Sequence, residues 1–141
     1  MRKKAIAKAC AILIASVICA AFALFLIHAP VFETGKNYEL YYGASSSASA
    51  TGTRNPVRDK LLSGCVAGES VRYDGDRAAE LMKRYRAKVL FSEEAEGVVN
   101  YYCYSPLLGD GIGLCGYAVN LHVAVGSEQT AIGTPIIFGG F

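Results

Sequence analysis

Between positions 9 and 27 the sequence has no charged residue, and before Glu33 it has no acidic one. The uncharged run, ACAILIASVICAAFALFLI, would span roughly 28 Å as a helix, close to the thickness of a hydrocarbon core. Arg2, Lys3, Lys4 and Lys8 precede it. Basic residues are retained on the cytoplasmic side, so the N-terminus is expected inside and everything from position 30 outside. Residues 1–29 therefore read as a basic tip plus a signal anchor held in the cytoplasmic membrane through 9–27, residues 30–36 as a connector, and 37–141 as one extracytoplasmic domain. Cleavage to a secreted form is the alternative. It is disfavoured because Ala21 and Ala23 lie within the apolar run, and a cut after Ala29 would place Ile27 at −3 and Pro30 at +1. Lipid attachment at Cys19 would follow Ile18, which is not small.

Other absences narrow the function. The chain holds 14 Lys+Arg, four of them before position 9, so ten face twelve acids in the outer part, a net of −2. Polyanion binding works by Lys and Arg displacing phosphate counterions. A mildly acidic outer domain excludes nucleic acid as the expected partner. No C-x2-C spacing is present, so Cys65, Cys103, Cys115 and His122 do not read as a structural zinc site. The Gly109-Asp110-Gly111-Ile112-Gly113 stretch does not lead into a helix and reads as a sharp connection rather than a phosphate cradle. No serine or cysteine has the setting of an activated nucleophile, and no internal repeat is present. Neither a metal nor a cofactor is expected, and enzymatic activity is not the favoured reading.

What is present is a mixed pattern of periods. NYELYYG (37–43) and Glu69–Tyr73 read as strands. The stretch 44–56, ASSSASATGTRNP, buries too little apolar area to offset its ordering entropy and reads as a flexible loop, with a Ser/Thr-rich edge strand as the alternative. Val57–Val66 is ambiguous between helix and strand. Asp74-Gly75-Asp76 is turn and N-cap chemistry ahead of a helix at Arg77–Arg86, with Ala78, Leu81, Met82 and Tyr85 on one face and Glu80 and Arg84 at the i,i+4 spacing. From Lys88 the period is two: Lys88–Ser92, Val98–Ser105, Tyr117–Val125 and Thr130–Phe138 read as strands. Pro135, lacking an N–H, places the last of these at an edge, and its apolar end, with Phe138 and Phe141, is expected to dock in the core, with strand addition to a partner as the alternative. The fold class that follows is α+β: a transmembrane helix, then one main helix packed on a four- or five-stranded, mainly antiparallel sheet.

If Asn100 and Asn120 share a face with His122, they form a polar patch on the sheet, beside the tyrosines at 101, 102 and 104. Asn100, Tyr102, Asn120 and His122 are therefore the candidate binding residues, since imidazole can act as base, ligand or pH switch. No catalytic residue is assigned. Three cysteines lie outside the anchor, which allows one disulfide and leaves one thiol; Cys65–Cys103 is the preferred pair. The expected function is a non-catalytic binding or interaction module with an extracytoplasmic partner. The alternative is a small hydrolase or ligand-sensing domain centred on His122, Asn100 and Asn120.

The segments GVVNYYCYSPLL, YAVNLHVAV and TAIGTPIIFGGF resemble bacterial membrane-anchored proteins of the YwmB-like family. The outer domain of that family is a helix-on-sheet fold compared with the TATA-box-binding protein. The resemblance covers residues 68–141, and its motifs are structural. It implies a fold and carries over no functional residue; a fold does not fix function, so DNA binding does not follow from it. YwmB-like proteins are longer than this chain.

Overall fold

The computed structural model describes residues 2–32, 35–43, 50–64 and 66–138. The charge-free run lies in one helix, α1 (Arg2–His28), long and apolar enough to cross a membrane and with none of its apolar window buried against the rest of the chain. The chain continues through β1 (Lys36–Tyr41), β2 (Ala50–Thr53), α2 (Pro56–Ser63), β3 (Gly68–Asp74), α3 (Ala78–Arg84), β4 (Lys88–Ala95) and β5 (Val98–Tyr104). A small hairpin of β6 (Ile112–Leu114) and β7 (Tyr117–Val119) follows, then β8 (Leu121–Val125) and β9 (Gln129–Thr134).

The α+β class holds, but its expected dimensions do not. The sheet has seven strands in the order β2-β1-β3-β9-β8-β5-β4, every pairing antiparallel, rather than four or five, and among the described residues there are three helices, two of them after α1 where one main helix was expected. One extra strand comes from 50–53, where the edge-strand alternative applies: Tyr38 to Tyr41 pair with Thr53 to Ala50. Threonine tolerates such half-exposed pairing. The extra helix, α2, is defined by its ends rather than by its period. Asn55 caps it by accepting from Arg58 N at 3.2 Å, Pro56 opens it, and Gly64 closes it at φ 73°.

The last strand is also placed differently. Pairing ends at Thr134, and β9 lies in the middle of the sheet between β3 and β8, not at an edge. Pro135 follows the strand across a cis bond, so its missing N–H costs no ladder bond. Residues 135–138 then lie over the sheet: a Cβ on Gly133 would meet the Ile137 side chain, and one on Gly68 would meet Phe138 and Pro135. Phe138 packs edge-on against Tyr41 at 5.5 Å. Phe141 lies outside the described residues.

The core joins Leu40, Val71, Leu121, Val123 and Ile132 of the sheet to Ala78 and Leu81 of α3. Helix α3 has only seven residues, too few to cover this sheet alone. Phe32, from the expected connector, fills part of the gap: it is 1% exposed and packs edge-on against Tyr85 at 5.4 Å. At the start of α3 the cap is shared. Asp76 accepts from Ala78 N at 3.0 Å, and Thr130 accepts from Arg77 N at 2.9 Å. Glu80 pairs with Arg77 at 2.8 Å, in an i,i+3 geometry.

Candidate functional site

Alternation along neighbouring strands brings three of the four candidate side chains together. In the register, Tyr102 lies opposite both Phe91 of β4 and His122 of β8. The rings form a row: Phe91 stacks on Tyr102 at 4.5 Å, and Tyr102 stacks on His122 at 4.5 Å. Asn100 closes the group through a 3.0 Å bond between its Oδ1 and His122 Nε2.

The other imidazole nitrogen, Nδ1, is 3.3 Å from Ile137 N. A backbone N–H can only donate, so Nδ1 accepts and the proton resides on Nε2, which donates to Asn100. His122 is buried, and burial lowers its pKa from the usual 6.5 to about 4; Glu93 opposes that shift only in part. The ring is therefore neutral at pH 7, with both nitrogens engaged. It joins the segment after β9 to β5. The Tyr102 hydroxyl donates to Glu93 at 2.5 Å, and burial, then this carboxylate, push its pKa up to about 12.

Asn120 does not join this group. The strand breaks between β7 and β8 at this residue, and its carboxamide acts as a substitute peptide. Its Oδ1 accepts from Ser105 N at 2.7 Å, and its Nδ2 donates to Ser105 O at 2.8 Å and Gly109 O at 2.9 Å. Of the expected disulfide pair, Cys103 is a buried free thiol whose pKa burial raises to about 11, and Cys65 lies outside the described residues. Tyr104 is exposed, whereas Tyr101 packs against the core.

A second polar centre, not anticipated from the sequence, lies where α1 meets the domain. Lys60 of α2 and Glu69 of β3 form a buried ion pair at 2.5 Å, their side chains 10% and 5% exposed. Lys60 Nζ also donates to Ala29 O at 2.9 Å. Glu69 Oε2 accepts a short bond from the Tyr38 hydroxyl and one from Val31 N at 3.3 Å. Burial and the Glu69 charge hold the Tyr38 hydroxyl far above its usual pKa. Tyr85 donates to Val31 O at 3.3 Å. These residues grip the chain just past the last turn of α1. Beside them is a cavity of about 320 Å³ whose lining includes His28, Lys60, Glu69, Asp110 and Pro135. Any cue in the sequence was weak: Lys60 and Glu69 are separated by a Gly-containing stretch with no motif, and their pairing depends on tertiary structure.

Comparison of the chain with protein-family models, with curated proteins and with solved structures finds no match.

Proposed function

We propose that the chain is a single-pass membrane protein whose outer domain is a non-catalytic interaction module, held in a fixed attitude to its anchor. The observation that carries this reading is the junction. The backbone at Ala29 and Val31 is bonded to the buried Lys60–Glu69 pair, and Phe32 is a core residue. A flexible tether would leave these groups in water, where the backbone needs no such partners.

The same geometry supports an uncleaved anchor. A cut after Ala29 would replace an amide carbonyl bonded to Lys60 with a carboxylate on a departing segment, and would add a positive N-terminus beside a buried ammonium. The orientation, N-terminus in the cytoplasm and domain outside, is supported by the basic residues before the run. The hydrolase or sensor alternative draws less support, because both nitrogens of His122 are occupied and Asn120 bonds elsewhere.

The test uses Cys115, which is exposed. A membrane-impermeant maleimide applied to intact cells should label it on a chain of the full 15.0 kDa mass. Labelling only after lysis would overturn the orientation. A labelled chain lacking the first 23 or 29 residues would overturn the anchor.

A further inference from the structure

The domain presents two chemically different ends along its strands. Near the exit of α1 lie the start of β3, the end of β9 and the loop after β5, since Glu69, Pro135 and Gly109 line one cavity with Ile27 and His28. At the other end, Asp74, Glu96 and Glu128 line a shared cleft. The seven residues of β3 separate the two ends by roughly 20 Å.

Apolar exposure collects at the α1 end. Outside α1, the exposed leucines among the described residues are Leu61 (55%), Leu62 (72%) and Leu107 (54%). Leu61 and Leu62 belong to α2, which lies against α1 and sends Lys60 to the Ala29 carbonyl just past its last turn. Leu107 lines a groove with Leu26, Ala29 and Arg84. Leu26 and Ile27 are part of the charge-free run itself, so the domain begins before that run has ended. Basic residues accompany the leucines: Arg58 on α2, and Lys83 and Arg84 in the last turn of α3.

We infer that this end of the domain is seated on the leaflet from which α1 emerges. Leu61, Leu62 and Leu107 lie in the headgroup–acyl boundary, with Arg58 and Lys83 among anionic phospholipid headgroups. The inference rests on the anchoring reading and adds to it that the domain lies on the bilayer instead of standing off it. The occupant follows from continuity: the groove wall at Leu26 is also lipid-facing helix surface. Charge adds to this: three acids line the cleft at the far end, while at the α1 end Asp59 and Asp110 are outnumbered by Arg58, Lys83 and Arg84. Amphipathic surfaces with leucine at the apolar boundary and Arg or Lys at its edge partition in this way.

The chain has no tryptophan, so single reporters can be introduced into the full-length protein. Leu13→Trp reports the anchor, Leu62→Trp and Leu107→Trp the seat, and Ser127→Trp the far end. The protein is reconstituted in vesicles of phosphatidylcholine and phosphatidylglycerol. Lipids brominated on the upper acyl chain should quench the first three reporters, and aqueous acrylamide should quench the Ser127→Trp reporter severalfold more than any of them. Omitting phosphatidylglycerol should weaken lipid quenching at positions 62 and 107 without changing it at 13; equal quenching would overturn the headgroup contact. If positions 62 and 107 behave like 127 while 13 is quenched by lipid, the seat is overturned and the anchor stands. If 13 is also untouched by lipid, the anchoring reading falls, and the seat falls with it.

Discussion

His122 shows how a side chain that looks catalytic in sequence can be a structural bond. Its pKa is lowered on folding, so between about pH 6.5 and pH 4 the unfolded chain binds a proton that the folded one refuses. Stability from this residue is complete above pH 6.5 and falls as the pH drops through that window, by about 3 kcal/mol in total. Urea unfolding of His122→Gln should show a shallower decline over the same range than the natural chain; identical slopes would show that the imidazole is not the titrating group. The Lys60–Glu69 pair is the other residue-level test. Lys60→Met leaves Glu69 buried beside the Tyr38 hydroxyl without its cation, a change expected to cost about 3–5 kcal/mol in urea unfolding. At this scale the sequence marked Asn100, Tyr102, Asn120 and His122 as candidates for one face, and alternation with a simple register aligns Asn100, Tyr102 and His122. Asn120 was misplaced because the strand breaks there and its carboxamide substitutes for a peptide.

Elements were legible where a period was long and hidden where their ends defined them. Strands β4 and β5 and helix α3 fall within about three residues of the stretches their spacing marks, whereas the expected single strand Tyr117–Val125 is two, β7 and β8, broken at Asn120. Helix α2 has weak amphipathicity, and its identity comes from Asn55, Pro56 and Gly64. Asn55→Ala should therefore destabilise the domain by about 1 kcal/mol, measured by urea unfolding. Gly111 has a different duty, because a Cβ there would overlap the backbone of Val119 and Asn120. Gly111→Ala should cost about 1–3 kcal/mol, whereas Gly113→Ala, with open space around it, should be close to neutral. A lone G-x-G cannot reveal that difference, since it depends on what the fold brings near each glycine.

For the whole molecule, the long apolar N-terminal helix and the α+β class could be read from composition and period, and the breadth and order of the sheet could not. Strand order depends on pairings between distant segments, such as Val71 with Ile132, and no local pattern records them. The central position of β9 has a consequence for biosynthesis. Strands β2, β1 and β3 form one half of the sheet and β8, β5 and β4 the other, and β9 is the strand that joins them. It also follows the other six strands of this sheet in sequence and so leaves the ribosome after them. While residues 129–134 are still in the tunnel, the growing chain has the strands of both half-sheets but not the one that closes the gap between their inner edges. A chain stopped at Glu128 should thus be membrane-bound yet digested by protease across its outer domain, and resistance should appear only when synthesis passes Thr134. Closure of the sheet is in that sense a proofreading step: it registers that translation has run through the central strand.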